Sequence, residues 1–287
     1  MDALKTNTTG ARNNAVGHQA LELNTTGSNN VAFGYAALEN LTTANDNVAI
    51  GHKALETCTV GAANTAVGCF ALDALTDGSP NEAVGQHALG ACTTGQFNSC
   101  IGHGSLQSVT TGLRNCGIGI NSGQNITTGG TNTCIGIDAG QTLQTGSNNT
   151  FLGFGAGIGA STSQANEIIL GNSSISALRC QVNSISGLSD SRDKKDIEDL
   201  SIGLDFINTL KPRKFTWQMR SPSANDGKTQ TGFIAQELQE SVGENNYLNL
   251  VDNYNDETLH AAMGNLMPIV VKAIQQLSAD VTALKAA

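Results

Sequence analysis

Aromatic and charged residues are scarce in this chain of 287 residues, at 4% and 14% of the sequence. A compact enzyme domain normally carries more of both, because charged side chains cover its surface and aromatic rings fill its core. The formal net charge of −9 argues against a nucleic-acid or acidic membrane surface as a partner. No apolar run approaches the roughly 18 to 20 residues that span a bilayer, so membrane insertion is not expected.

The seven cysteines show neither Cys-x-x-Cys spacing nor paired blocks, which is not typical of a structural metal site. The favoured interpretation is reduced thiols packed as small apolar groups, and a disulfide or metal framework is the alternative. The sequence also lacks a His-x-His pair. We therefore expect no metal and no cofactor.

Glycine is abundant, with 33 residues, and its spacing reveals a repeat. Nine glycines stand at every seventeenth position along the chain: Gly17, Gly34, Gly51, Gly68, Gly85, Gly102, Gly119, Gly136 and Gly153. An asparagine stands four residues before each of them: Asn13, Asn30, Asn47, Asn64, Asn81, Asn98, Asn115, Asn132 and Asn149. A fixed period of this kind predicts an array of stacked units.

Each unit contains a stretch typical of a short β-strand, as in Asn47-Val48-Ala49-Ile50-Gly51. Thr-Thr-Gly-like segments between the copies have the chemistry of exposed turns. A unit of this size cannot enclose its own core, so successive units must stack and pair their strands. We predict a β-solenoid or β-roll of nine 17-residue repeats over residues 1–157. Transition strands and a linker should follow over residues 158–188, with a slipped last coil ending at Gly171.

The recurring Asn-x-Ala-Ile/Val-Gly core resembles the repeat of YadA-like trimeric adhesin heads. The resemblance covers residues 7–157 and implies a β-roll in which three chains pack side by side. The repeat length, with one copy at every seventeenth position, is longer than the repeat length expected for that family.

Two residue types in the repeat have alternative interpretations. The invariant asparagines are expected to bond to backbone groups and form a ladder along the stack, and ligand binding is the alternative. His18, His52 and His103 each follow a repeat glycine, at a position that varies between copies. That variability favours a surface or trimer contact over a metal site.

The repeat gives way to one charged stretch, Ser189-Asp190-Ser191-Arg192-Asp193-Lys194-Lys195-Asp196-Ile197. It resembles the start of the intramolecular chaperone auto-processing domain, a self-cleaving domain found at the C-terminus of phage tailspikes and tail fibres. The resemblance implies that the chain is cut between Leu188 and Ser189. It also implies that Ser189 is the nucleophile and Lys194 the base, because a serine hydroxyl attacks only after a base removes its proton.

One position departs from the family pattern, because Asp193 stands where many members carry a leucine. Carboxylates near Lys194, including Asp196, would favour its charged form and so hinder its action as a base, whereas Arg192 would act in the opposite direction. The alternative interpretation is that Ser189 and Asp190 form a cap or turn in a solvated surface, with no cleavage.

Downstream segments extend the resemblance to residues 189–287, for which we predict a small α+β domain. Residues 201–210 have the apolar spacing of a short helix, and residues 213–217 alternate as a strand does. The segment Gly232-Phe233-Ile234-Ala235-Gln236-Glu237 matches the family's second signature. Asp190, Arg192, Gln236 and Glu237 are candidates for supporting the dyad. For Gln236 and Glu237, capping between strand and helix is the favoured alternative.

The C-terminal segment carries apolar residues at alternating spacings of three and four, which is typical of a coiled-coil seam. We predict a trimerising helix over about residues 258–286 with this seam: Met267, Val270, Ile274, Leu277, Val281 and Leu284. A helix packed on its own domain is the alternative. The number of helices in this coiled coil, three, is inferred from the resemblance.

These features together predict a homotrimeric, phage-type tail fibre or appendage, located in the virion and assembled in the host cytoplasm. Its C-terminal domain is expected to act as an intramolecular chaperone that is released by autocleavage. Expected partners are copies of the same chain, other virion proteins, and a host-surface glycan or protein receptor. The alternative is a trimeric adhesin or structural spike that is never cut. A glycan-degrading tailspike is disfavoured, because the repeat holds no acidic pair at constant positions.

Overall fold

The computed structural model describes residues 2–175, 177–179, 181, 189–218, 227–255 and 258–287. The chain divides into two compact units, Met1–Ser173 and Ser174–Ala287. Within the described ranges, no helix is both long and apolar enough to cross a membrane. The domain boundaries drawn from the sequence stay a prediction.

The first unit is a single parallel sheet of ten short strands, stacked in chain order. Neighbouring strands from β1 to β9 pair at an offset of one repeat, as in Val48↔Thr65, and the offset from β9 to β10 is longer by one position, as in Ile168↔Thr150. The strands are β1 (Asn14–Val16), β2 (Val31–Phe33), β3 (Val48–Ile50), β4 (Thr65–Val67), β5 (Asn81–Val84), β6 (Asn98–Ile101), β7 (Cys116–Ile118), β8 (Thr133–Ile135), β9 (Thr150–Leu152) and β10 (Ile168–Leu170). The predicted β-solenoid and its slipped last coil are confirmed.

Small and aliphatic side chains fill the interior of the solenoid. The middle residue of most strands is a buried alanine or cysteine, such as Ala49 or Cys100, and the leucine in the turn after each of the first six strands is buried as well. Cys58, Cys92, Cys100 and Cys134 lie in this core as free thiols, and Cys180 lies outside the described residues.

The repeat glycine is required by the backbone for two reasons, which Gly85 illustrates. Its φ is +139°, in the region that L side chains rarely adopt. A Cβ at this position would also lie 2.4 Å from the carbonyl oxygen of Gly102 in the next coil. The close approach of successive coils therefore explains why glycine recurs at this position.

The invariant asparagines form the predicted ladder, which is confirmed. The side-chain Oδ1 of Asn81 accepts hydrogen bonds from the backbone N of Asn98 (3.0 Å) and from its Nδ2 (3.1 Å). Nδ2 of Asn81 donates to the carbonyl oxygen of Gly95 at 2.9 Å. The same contacts recur from coil to coil, and Asn30 to Asn149 of this series are buried. Each asparagine thus satisfies polar groups that would otherwise be buried without a partner.

In its described residues, the second unit is a small α+β assembly with two antiparallel strand pairs. Its elements are α1 (Leu204–Thr209), β11 (Arg213–Thr216), β12 (Thr229–Gly232), α2 (Ala235–Val242), β13 (Val251–Asn255), β14 (Thr258–Ala261) and α3 (Met267–Ala286). Strand β11 pairs with β12, and β13 pairs with β14. The core is formed by Phe206, Val242, Leu248, Leu250, Leu266 and Ile269.

The C-terminal helix begins later than the expected position near residue 258. Residues 258–261 form strand β14, a 3₁₀ turn covers Met263–Leu266, and α3 begins at Met267. Pro268 lies in the first turn of α3, where its missing N–H costs nothing and its fixed φ favours the helix start. The proline therefore marks the boundary that the apolar spacing alone did not locate.

Candidate functional site

A tight turn shapes the charged stretch that follows the solenoid. Ser191–Asp193 form a 3₁₀ turn, and the side chain of Asp190 caps it by accepting a hydrogen bond from the backbone N of Arg192 at 2.9 Å. The chain leaves the turn at Lys194 in an extended conformation, with the Lys194 N–H bonded to the carbonyl of Ser191. The turn thereby brings the side chain of Lys194 back towards the residue that precedes the cap.

Ser189 and Lys194 meet across this turn. Nζ of Lys194 lies 2.6 Å from Oγ of Ser189, and both residues are exposed. This distance is within reach of direct proton transfer between the hydroxyl and an amine. Leu188, on the other side of the predicted cleavage site, lies outside the described residues.

Two of the nearby carboxylates pair with cations other than Lys194. Arg192 binds Asp190 with two parallel contacts, Nε to Oδ1 at 3.1 Å and Nη2 to Oδ2 at 2.6 Å. These hydrogen bonds lower the pKa of Asp190. Asp196 lies 3.9 Å from Nζ of Lys195. Among the residues that the structure describes, Lys194 makes no ion pair with a carboxylate, so these acids do not hold its side chain away from Ser189.

Gln236 and Glu237 lie in the first turn of α2. Glu237 accepts two hydrogen bonds from Arg213 of β11, one from Nε at 2.9 Å and one from Nη2. The Arg213 guanidinium also lowers the pKa of Glu237. Gln236 is exposed, and in the described part of the chain neither residue hydrogen-bonds to Ser189 or Lys194. Glu237 thus joins strand to helix, and support of the dyad by either residue stays a prediction.

Helix α3 has two different faces. Ile269 and Ala273 are buried in the domain, and α3 packs against α1. The six residues of the predicted seam remain between 36% and 78% exposed: Met267, Val270, Ile274, Leu277, Val281 and Leu284. The helix therefore packs on its own domain and still leaves an uncovered apolar stripe, so the two interpretations drawn from the sequence are compatible.

The histidines of the repeat take part in a column of rings. His18 stacks on Tyr35 with ring centres 5.6 Å apart, and Tyr35 stacks on His52 at 5.3 Å. The column continues through Phe70, His87 and His103. Where the structure describes the chain, no group of three His, Cys, Asp or Glu side chains is placed to hold a metal ion.

Two contacts in the second unit were not predicted from the sequence, namely the Arg213–Glu237 pair and a hydrogen bond from the backbone of Leu204 to Gln276. Their partners are separated by 24 and 72 residues along the chain. A local motif carries no signal for such pairs.

Comparison with protein-family models gives a match to part of the second unit. Residues 189–247 match the family model described as Chaperone of endosialidase (Peptidase_S74). The match begins at Ser189 and runs through the turn, α1, the β11–β12 pair and α2. Members of that family are self-cleaving intramolecular chaperones, which supports a role for this segment in trimerisation and chaperoning. No curated protein and no solved structure matches the chain.

Proposed function

We propose that this chain is a segment of a homotrimeric viral fibre whose C-terminal domain aligns three copies and is then released by cleavage before Ser189. The observation that carries the cleavage step is the distance of 2.6 Å between Ser189 Oγ and Lys194 Nζ. That pair stands at the first residues of the match to a self-cleaving chaperone family. Ser189 is accordingly assigned as nucleophile and Lys194 as general base.

The cleavage chemistry follows from these two groups. Lys194, as the neutral amine, takes the proton of the Ser189 hydroxyl, and Oγ attacks the carbonyl carbon of Leu188. The bond from that carbon to the Ser189 nitrogen breaks, and Lys194 returns the proton to the leaving nitrogen. Water then hydrolyses the resulting ester and frees the new carboxylate. The same bonds form and break whether Oγ attacks the carbonyl of its own chain or that of a neighbouring copy.

The repeat explains why such a chain needs an assembly template. Its coils share one period, which returns at every seventeenth position, so two copies could associate one coil out of step at little cost. Pairing between distant segments is also slow. A domain that trimerises first through the stripe on α3 fixes the register and raises the local concentration of the solenoids. Cutting then removes the template, and the fibre cannot readily retrace its folding path.

The biological setting belongs to the same proposal. A solenoid of stacked coils joined to an endosialidase-type chaperone fits a phage-type tail fibre or appendage, assembled in the host cytoplasm and carried by the virion. Such a fibre would meet other virion proteins at one end and a glycan or protein receptor on the host surface elsewhere. The variable positions of the coils are available for that recognition.

The second candidate function is a trimeric adhesin or structural spike that keeps its C-terminal domain. The observation that favours it is the exposure of Ser189 and Lys194 in the single chain, because catalytic lysines usually act in desolvated sites. In that case the Ser189–Lys194 contact is a turn interaction and α3 is a permanent trimerisation element.

Intact mass of the freshly purified protein decides between the two. The parent, Ser189→Ala and Lys194→Ala are compared with Ser201→Ala and Lys195→Ala as matched controls on neighbouring exposed residues. We expect the parent and both controls to appear as two fragments that meet between residues 188 and 189, with the two dyad variants whole. A whole parent chain in mature assemblies would favour the permanent domain.

The chaperone role has a separate test. A chain that ends at residue 188 is expected to yield insoluble or mixed-register material. The full chain should yield a soluble trimer, measured by light scattering. Equal yields of the same trimeric fibre from both would contradict the chaperone role.

A further inference from the structure

One apolar residue per coil points away from the core of the solenoid. We define the outer column as the last residue of each strand: Val16, Phe33, Ile50, Val67, Val84, Ile101, Ile118, Ile135, Leu152 and Leu170. Eight of these residues are between 38% and 56% exposed, and Val67 and Ile135 are half-buried. Except for Gly117 of β7, the preceding residue of each strand points inward, as strand alternation requires.

The outer column contains no charged or polar residue over ten successive strands. Side chains of this size at about half exposure leave apolar surface on the order of several hundred Å², which is the size of the largest apolar patch on a typical monomer and is often functional. A specific interface needs a similar area from each partner. The column therefore has the extent and composition of an interface.

The spacing of side chains along the outer column indicates which kind of partner fits it. Its side chains repeat once per coil, and parallel paired strands lie about 4.8 Å apart. A partner that contacts every coil must present apolar groups with the same rise over the same length. A second copy of this solenoid meets that condition, and a globular receptor or a glycan does not.

The exposed apolar surface is wider in the last coils. Ile120, Ile137 and Phe154, each two residues after an outer-column residue, are 45% to 64% exposed. The same position holds His18, Tyr35 and His52 in the first coils. More apolar surface is therefore available in the coils that lie closest in sequence to the chaperone-like domain.

We propose that the outer column is a homotypic surface through which copies of the solenoid pack coil against coil in one register. The coils that carry Ile120, Ile137 and Phe154 contribute most to the contact. The inference rests on the trimer of the proposed function and identifies the surface that the solenoids use within it. Association then proceeds from these last coils towards the first, starting where α3 holds the chains together.

Photo-crosslinking in the full chain tests this surface. The photoreactive residue p-benzoylphenylalanine replaces Ile120, and a matched protein carries it in place of Thr128, which is exposed in a turn. Copies labelled with heavy and light nitrogen are co-expressed, so that links between copies are recognised by mass. We expect inter-chain links from position 120 to the outer column of another copy and at least about tenfold fewer from position 128.

A charged substitution provides the second measurement. In a protein with p-benzoylphenylalanine in place of Ile137, the substitution Ile118→Asp places a carboxylate in the outer column at a residue already exposed to solvent. It should lower the yield of inter-chain links from position 137 by about tenfold. Thr128→Asp should leave it unchanged. Circular dichroism shows whether each variant keeps the solenoid, and Ile118→Asn replaces Ile118→Asp if the latter does not fold.

The outcomes separate this inference from the proposed function. A protein that is trimeric by light scattering but gives only links within one chain, or links to another face, would overturn the homotypic surface and leave the trimer intact. A parent that is monomeric overturns both. Links from position 120 to a co-purified protein of another sequence would assign the column to a receptor and overturn the inference.

Discussion

Gln276 of helix α3 accepts a hydrogen bond from the backbone N of Leu204, the first residue of helix α1, at 2.6 Å. Helix α1 has no cap from its own side chains, because Gly203 occupies the N-cap position. Gly203 also leaves room for the contact, since a Cβ there would lie 2.2 Å from the Gln276 oxygen. The C-terminal helix therefore completes the start of α1, which follows shortly after the Ser189–Lys194 turn in the sequence.

Replacing this cap should destabilise the second unit alone. Gln276→Met keeps the length of the side chain but removes the acceptor, so the N–H of Leu204 loses its partner at a cost of about 1 kcal/mol. Differential scanning calorimetry should show a lower Tm for the C-terminal unit and an unchanged solenoid transition. Gln275→Met, at an exposed neighbouring position, is the control. Equal Tm values for the two variants would contradict the capping role.

This contact shows which parts of the molecule the sequence could predict. The strands β1 to β9 and the asparagine ladder repeat at every seventeenth residue, so a single periodic pattern specified most of the solenoid. The Ser189–Lys194 contact spans only five residues and is formed by one local turn. The cap from Gln276 and the Arg213–Glu237 pair join distant segments, and their geometry depends on tertiary packing that no local spacing encodes.

The asparagine ladder should be intolerant of substitution at Asn81. Asn81→Ala removes the acceptor for the backbone N of Asn98 and the donor for the carbonyl of Gly95. The N–H of Asn98 then has no acceptor and the carbonyl of Gly95 keeps only the weak thiol donor of Cys92, which together should lower the free energy of unfolding by about 2 to 3 kcal/mol. Urea denaturation measures the change.

Two further variants make the ladder prediction specific. Asn125→Ala removes one hydrogen bond of an exposed asparagine and should cost less than about 1 kcal/mol. Asn81→Asp keeps the acceptor but cannot donate to Gly95, so its cost should be substantial as well. A mild effect of both Asn81 variants would show that water replaces the ladder.

Close packing of coils predicts that substitution by alanine destabilises the protein to different degrees at two glycines that both have positive φ. At Gly85 an added Cβ meets the carbonyl oxygen of Gly102 at 2.4 Å, whereas at Gly159, with φ of +86°, nothing lies within 4 Å of it. Gly159→Ala should cost about 1 to 2 kcal/mol from backbone strain alone. Gly85→Ala should cost several kcal/mol more or prevent soluble folding. Similar thermal stabilities for the two variants would mean that the coils separate easily.

The buried thiols should make the stability of the solenoid fall at alkaline pH. Burial raises the pKa of Cys100 from 9.0 to about 12, because the thiolate is poorly solvated in the core. Between these two values the unfolded chain loses a proton that the folded chain retains, so the free energy of unfolding decreases as the pH rises. The contribution is fully present below the unfolded pKa and is lost as the pH rises through the folded one.

Cys100→Ala isolates this effect, since alanine already occupies the paired position, Ala83, in the preceding coil. At about pH 10 the free energy of unfolding of the parent should have fallen by on the order of 1 kcal/mol, and this loss should be absent in the variant. Chemical denaturation at about pH 8 and about pH 10 measures the difference. An equal loss in both proteins would place the alkaline sensitivity elsewhere.

The exposed stripe of α3 should control assembly without controlling the fold of the domain. Ile274 and Leu277 are 61% and 51% exposed, whereas Ile269 on the other face is 1% exposed. Ile274→Asp combined with Leu277→Asp puts charges on the seam and leaves the buried face intact. We expect a monomer by light scattering, with the helical signal of the domain retained, because charged residues at seam positions disfavour coiled-coil association.

Ile269→Ala is the matched comparison on the buried face. It should lower the stability of the domain by about 2 to 5 kcal/mol through lost packing and leave the oligomeric state of the folded fraction unchanged. If the double aspartate variant remains trimeric, the solenoid alone holds the copies together and α3 does not set the register. If it is monomeric, assembly begins at the helix, as expected for a domain that acts as a template for the repeat.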